Sequence, residues 1–389
     1  MRITLTFLIL ILFSSCSNNE KLNGLWYGAV KTNQKRFPVL IKFENGNFID
    51  YFSGDYDTIK YRYFRNTFNF KNYMNEKKIY NTSLINNELS FFDSESDSLM
   101  FKVEKIKESN FVFDFLSDKS LIIDLPTGKG LEKSFRTHRF ENPMYLSYKN
   151  QKLTANFLDT TIIVNNRYHE FLRDKLKSLE MDLFEWEIYR VSLIADKNIK
   201  ISDLDLLKKQ LKIAGYTTID YFMKSNSYVK KNIFSLKLKE LTEEEMTKYN
   251  VQKDTMSLVM PSIVKSALEF KGHLMLVELN NGVIKINDKT ITDKEFVDLI
   301  NKKIESEEDL IVLYHLTENS VYRDFIHIND LYINVIYDTR DKYLTNKYGF
   351  NFREEDRFKG KEINESQKEI PLIINQLTKV EYEKIKYSL

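Results

Sequence analysis

Residues 191–223 read VSLIADKNIKISDLDLLKKQLKIAGYTTIDYFM, and this stretch decides the fold. Val191-Ser192-Leu193-Ile194-Ala195-Asp196 is a short aliphatic run with a turn former at its end, as a buried strand requires. Leu204, Leu207, Leu211 and Ala214 then recur at spacings of three and four, which puts them on one face of a helix. Ser202 reads as its N-cap, Asp205 as the capping-box partner and Gly215 as the C-cap. Thr217 to Met223 is the strand that follows. Upstream, Thr161-Ile162-Ile163-Val164-Asn165 supplies a strand, and Phe171, Leu172, Leu176 and Leu179 supply a helix. Residues 150–226 are thus expected to form one β-α-β-α-β unit.

The same order returns later in the chain, and such self-similarity marks a repeated structural unit. Gly282-Val283-Ile284-Lys285-Ile286-Asn287-Asp288 reads as a strand, Thr292 with Glu295 as a capped helix start, and Leu310-Ile311-Val312-Leu313-Tyr314 as the next strand. A long helix follows from about Tyr322 to Lys347, with Phe325, Ile328, Tyr332, Val335 and Thr339 on one stripe and Gly349 beyond its end. Ile370-Pro371-Leu372-Ile373-Ile374 reads as the last strand, with Pro371 confined to an edge or to the strand start. Residues 272–389 make this second copy, and 227–271 connect it to the first.

Both copies resemble the periplasmic domain of the ExbD/TolR biopolymer-transport proteins. In the first copy the match is Ser192-Leu193-Ile194-Ala195-Asp196-Lys197 and, after the helix, Ala214-Gly215-Tyr216-Thr217-Thr218-Ile219. In the second, Tyr322, Phe325, Ile326, Tyr337, Arg340, Tyr343, Lys347, Tyr348 and Gly349 resemble the longer C-terminal form of Bacteroidetes members, and Ile370-Pro371-Leu372-Ile373 fits it too. The resemblance implies a fold that binds an envelope protein or peptidoglycan. Family members also carry an N-terminal membrane helix whose aspartate serves a proton-driven motor. No segment of residues 17–389 has the roughly 20 apolar residues of a span, and Ser257 to Phe270 is short and contains Lys265. The family's proton coupling is therefore not implied.

Residues 22–145 read differently. Short alternating runs, among them Val39 to Phe43, Phe48 to Phe52, Tyr61 to Phe64, Leu89 to Phe92, Leu99 to Ile106, Phe111 to Leu116 and Leu121 to Leu125, recur about every ten residues, as in an antiparallel barrel or sandwich. Glu44-Asn45-Gly46-Asn47 and Asn86-Asn87 are hairpin signals. The opening Gly24-Leu25-Trp26 resembles the start of lipocalin-like domains. Such a barrel either encloses a ligand or is filled by its own side chains, and the 28 Phe and 23 Tyr favour filling. The fold class is therefore multidomain: an all-β barrel-like domain followed by two α+β domains.

At the N-terminus, Met1-Arg2 precedes an apolar run from Ile3 to Phe13, then Ser14, Ser15 and Cys16, as in a cleaved signal peptide over residues 1–15. Small residues before Cys16 resemble the lipobox of bacterial lipoproteins, which implies lipid on Cys16, a polar tether over 16–21 and an anchor in the cell envelope. Cys16 is the single cysteine, so no disulfide competes for it.

The 58 Lys and Arg nearly match 56 Asp and Glu, which gives no field to gather nucleic acid. His138, His169, His273, His315 and His327 show no metal-ligand spacing, and Pro126-Thr127-Gly128-Lys129-Gly130 lacks the phosphate-loop pattern and reads as a turn. Asp196 reads as a strand terminator, Glu243-Glu244-Glu245 as a solvated helix end. No catalytic residue, metal or cofactor is assigned. The expected function is a non-enzymatic envelope lipoprotein that binds a partner, with Thr217, Ile219 and Tyr221 on a candidate edge strand. The alternative is a carrier of a small apolar ligand in the barrel.

Overall fold

The computed structural model describes residues 19–31, 36–50, 58–72, 75–106, 120–134, 143–157, 160–179, 189–224, 230–238, 241, 243–249, 263–306, 309–351 and 360–388. Cys16, the signal residues, the candidate strand at 111–116 and His138 lie outside them. The chain divides into two compact units, Met1–Phe115 with Ser134–Phe140 and Ser227–Lys230, and Leu116–Lys133 with Glu141–Asn226 and Lys231–Leu389. A single border near residue 145 is replaced by several chain passages between units.

The first unit is a closed antiparallel barrel of eight strands: β1 (Gly24–Lys31), β2 (Arg36–Glu44), β3 (Asn47–Asp50), β4 (Ile59–Phe64), β5 (Thr67–Lys71), β6 (Lys77–Ile85), β7 (Glu88–Asp93) and β8 (Leu99–Ile106). Each strand pairs with the next, and β8 returns to β1. Asn45 and Gly46 both hold positive φ, 50° and 79°, as a two-residue hairpin between twisted strands demands. Closure depends on Gly28, where a Cβ would lie 1.8 Å from the Lys102 carbonyl oxygen. In β4, Tyr61 and Tyr63 point inward while Lys60, Arg62 and Phe64 are exposed.

The inward residues are rings packed on rings: Phe43 lies 5.2 Å from Tyr61, Phe68 5.5 Å from Phe91, and Phe48 5.0 Å from Phe70. These side chains fill the interior. One end is closed by a short helix, α1 (Asn19–Leu22), whose Leu22 carbonyl accepts from Trp26 Nε1 at 2.6 Å. Burial pushes the Tyr61 hydroxyl up to about 12.

The second unit holds two mixed sheets. One runs β12-β11-β10-β13-β14-β15-β9, with β9 (Leu131–Ser134), β10 (Pro143–Lys149), β11 (Lys152–Phe157), β12 (Thr160–Ile163), β13 (Arg190–Ala195), β14 (Thr218–Met223) and β15 (Lys230–Lys237). The other runs β18-β17-β16-β19-β20, with β16 (His273–Asn280), β17 (Val283–Ile286), β18 (Lys289–Ile291), β19 (Leu310–Leu316) and β20 (Ile374–Leu377). The described helices are α2 (Tyr168–Leu179), α3 (Ile201–Ala214), α4 (Glu243–Lys248), α5 (Ile263–Glu269), α6 (Asp293–Glu305), α7 (Tyr322–Tyr348), α8 (Gly360–Glu369) and α9 (Lys379–Lys386).

The repeat is present and longer than β-α-β-α-β. Each copy is three antiparallel strands, a helix, a strand, a further helical segment and a strand, the second copy placing both α7 and α8 before its last strand, and in both the sheet order is third, second, first, fourth, fifth. The first, fourth and fifth strands run parallel in each. Sequence reading missed β10, β11 and β16. It also set residues 121–125 as a strand; they pair with no ladder but cross the second unit, where Leu121 and Leu125 are buried and Ser147 Oγ donates to the Ile122 carbonyl. Pro371 cannot donate to a ladder, and the last strand starts beyond it, at Ile374.

Both copies contribute to one continuous core, in which Leu204, Leu207 and Leu211 of α3 meet Phe325, Ile328 and Tyr332 of α7. The five-stranded sheet is covered on its other side by α5 and α9, through Ala267, Tyr382 and Ile385 against Leu276, Leu313 and Leu377.

Candidate functional site

The two copies meet in a reciprocal arrangement. Lys200, just before α3, bridges Val321, just before α7. The Tyr322 amide donates to the Ile199 carbonyl at 2.7 Å, and the Ile201 amide donates to the Ser320 carbonyl at 3.2 Å. Equivalent residues exchange roles, which is the signature of a local twofold axis. This contact also moves the helix start: α3 begins at Ile201 with Lys200 as N-cap and no side-chain cap, so Ser202 does not cap it as expected. Tertiary pairing of Lys200 overrides the local signal. Gly215 is the C-cap, at φ 104°, and Thr292 with Glu295 forms a complete capping box.

Aromatic side chains fill the seam on the side of the first copy. Tyr221 stacks on Phe234 of β15 at 5.2 Å, and Phe325 of α7 lies 4.8 Å from Tyr221 and 6.3 Å from Phe234. Burial pushes the Tyr221 and Tyr322 hydroxyls well above their ordinary range.

Thr217, Ile219 and Tyr221 therefore do not form an edge. β14 lies between β13 and β15, Ile219 is fully buried, and the Thr217 carbonyl accepts from the Leu238 amide of the segment that follows β15. The covering strand, Lys230–Lys237, falls in what the sequence reading took as a connector. A partly buried ion pair ties the three strands: Arg190 Nε and Nη2 donate to Asp220 at 2.5 and 2.7 Å, and Ser235 Oγ donates to the same carboxylate.

The corresponding strand of the second copy is β20. Val191 pairs with Ile219 as Val312 pairs with Ile374, so Tyr221 corresponds to Gln376 and Asp220 to Asn375. Among the described strands β20 has β19 on one side and ends the sheet on the other. Helix α3 of the first copy reaches it: Lys208 Nζ donates to Gln376 Oε1 at 2.9 Å, and Gln376 Nε2 lies 3.3 Å from both oxygens of Asp205. Lys208 Nζ also sits 4.0 Å from the centre of the Phe325 ring.

Other candidate chemistry is consumed internally. The Lys129 and Gly130 amides donate to the Asp330 carboxylate at 3.0 and 2.6 Å, so the anion held by residues 126–130 is the chain's own side chain. His169 Nδ1 lies 2.7 Å from Gln210 Oε1, His327 Nε2 2.9 Å from Asp293 Oδ1, and His315 Nδ1 3.4 Å from the Leu377 carbonyl. Asp196 accepts from the Asp124 and Asn198 amides, and Glu245 pairs with Lys209 and Lys212. Among the described residues no group of His, Cys, Asp or Glu could hold a metal ion, and no helix is long and apolar enough to cross a membrane.

No family model matches the chain, and neither a curated protein nor a solved structure does.

Proposed function

We propose that this chain is a non-enzymatic cell-envelope lipoprotein, anchored through lipid on Cys16, whose repeated α/β unit binds an envelope protein or peptidoglycan as an accessory related to ExbD/TolR biopolymer transport. One observation carries the reading: two copies of one α/β topology are joined about a local twofold, with His169, His315, His327 and Asp196 engaged by neighbours within the chain. Such a body offers sheet edges and surfaces to a partner. The segments that resemble ExbD/TolR proteins support the family relation, and the run from Arg2 to Cys16 supports the anchor. The aromatic filling of the barrel favours a binding body over a carrier of small apolar ligands.

Two measurements test this. A Cys16→Ser chain is expected in the soluble fraction while the unaltered chain pellets with membranes. Retention of the variant on membranes in high salt would remove the anchor. The unaltered chain, crosslinked in intact cells, is expected to carry one reproducible envelope protein or peptidoglycan fragment. Its absence, together with a small apolar molecule that copurifies, would favour the carrier.

A further inference from the structure

One end of the barrel is set apart by where the chain enters it. Residues 17 and 18 alone separate Cys16 from α1, and three residue steps span at most about 11 Å, so lipid on Cys16 would hold this end at a membrane surface. Helix α1 and the residue after it are fastened there: the Tyr63 amide donates to Asn19 Oδ1 and the Asn45 amide to Asn23 Oδ1, both at 3.2 Å. The antiparallel course of β2 to β7 brings the turns Asn45-Gly46, Arg65-Asn66 and Asn86-Asn87 to this same end.

The side chains at these turns are unlike those of an ordinary polar rim. Phe64 is 51% exposed and Ile85 66%, each one residue before its turn. The guanidinium carbons of Arg65 and Arg62 lie 5.1 and 5.8 Å from the centre of the Phe64 ring. Arg65 holds φ 48°, at a turn position that asparagine or glycine ordinarily fills. Nearby, Lys42 pairs with Glu44 and Lys102 with Glu88. Beyond these pairs the end carries exposed Lys21, Arg62, Arg65 and Lys105 against Glu20 and Glu104. Leu99 and Met100 are also exposed, at the opposite end, but the turn before them supplies Asp93, Glu95 and Asp97. Apolar side chains set among cations suit the headgroup layer of an anionic bilayer, and the same side chains set among acids do not.

We infer that the α1 end of the barrel seats on an anionic phospholipid bilayer, with Phe64 and Ile85 in the headgroup layer and Arg62, Arg65 and Lys105 on its phosphates. This rests on the reading of Cys16 as the lipid-bearing residue and adds the face that the barrel turns to the membrane. A lipid tether alone leaves the barrel free to tumble about its attachment; the rim fixes its orientation. The rim contacts are weak by themselves and are screened by salt, so the Cys16→Ser chain still leaves membranes.

The test uses the full chain and vesicles of equal parts phosphatidylglycerol and phosphatidylethanolamine. With Cys16 carrying lipid, Phe64→Cys or Met100→Cys introduces one free thiol, which takes an environment-sensitive fluorophore. In reconstituted vesicles, lipids with a nitroxide near the headgroup are expected to quench the label at 64 at least about twofold more than the label at 100. In a second arm the Cys16→Ser chain is sedimented with the same vesicles at low salt. Arg62→Glu combined with Arg65→Glu, checked for folding by circular dichroism, is expected to weaken that binding at least about tenfold, and vesicles of phosphatidylcholine alone to weaken it similarly. Equal quenching at 64 and 100 in a vesicle-held chain would overturn the rim and leave the anchor standing. Binding of the Cys16→Ser chain that ignores both the double variant and the lipid charge would overturn it as well. A Cys16 without lipid, in a chain whose vesicle binding still depends on the two arginines, does the reverse: the anchor falls and the rim stands.

Discussion

The two α/β copies agree in strand order, strand direction and pairing register, yet the fifth strand of one lies inside a sheet and the fifth strand of the other ends one. Two additional strands, β15 and β9, make the difference. Beneath β15 the strand carries large buried rings and the acid of a partly buried ion pair; in β20, which ends its sheet among the described strands, the positions between buried Ile374 and Leu377 are Asn375 and Gln376. Side-chain character thus follows what lies beyond the strand more closely than the topology both copies share.

The largest effect that sharpens this contrast is expected from proline at the two equivalent positions. Tyr221→Pro removes a ladder donor and a buried ring and should cost more than about 5 kcal/mol, enough to unfold the α/β unit. Gln376→Pro should cost less, since Gln376 is half-buried and its replacement removes no large buried ring. Urea unfolding of both variants measures this, and equal losses would mean that β20 is as enclosed as β14. A smaller difference separates the helix starts. Thr292→Ala is expected to lose about 1 kcal/mol, because its side chain accepts the Glu295 amide. Ser202→Ala should stay within about 0.5 kcal/mol, because the bridge between Lys200 and Val321 sets that end.

The smallest effect concerns a contact of the second copy. Glu365 on α8 accepts from Lys347, Tyr348 and Tyr343 of α7, and these bonds, with Lys347 foremost, hold its carboxyl down to about 2. A depressed carboxyl stabilises the fold fully above its ordinary value of 4.5, and that contribution fades as the pH falls through about 2. Glu365→Gln should lower Tm at pH 7 by no more than about 2 °C, as expected for exposed charges. At pH 2 the difference should close; a gap that persists there would assign the effect to packing.

Much of this contrast was legible in the residues. Several barrel strands are legible because alternation and the turns at Asn45-Gly46 and Asn86-Asn87 act locally, and Leu99–Ile106 reads at its observed bounds, whereas β5 and β6 are not among the strands read from sequence. The two helices that begin at Ile201 and Tyr322 were equally plain from their stripes. The hairpin of β10 and β11 was not, because its turn is Asn150-Gln151, at φ 52° and 62°, with no glycine to mark it. β16 holds the short apolar run Leu274 to Val277, which carries no period to tell a strand from a buried helix segment. The strand named as an edge, β14, lies inside its sheet. Burial of Ile219 and Tyr221, and the bond from the Leu238 amide to the Thr217 carbonyl, depend on β15 and the segment after it, whose pairing no local pattern encodes.

The exchange of hydrogen bonds between Ile199 and Tyr322 and between Ser320 and Ile201 has an evolutionary consequence. In an assembly of two identical chains every substitution at a twofold interface acts twice, and a residue that suits one side must suit the other. Here both halves are encoded once each, in tandem. One half of the seam could become dry and aromatic, with Phe325 against Tyr221, while its mate became polar, with Lys208 against Gln376, and neither change had to be tolerated in duplicate. Because the two halves lie in one chain, each side of the contact can change without its mate.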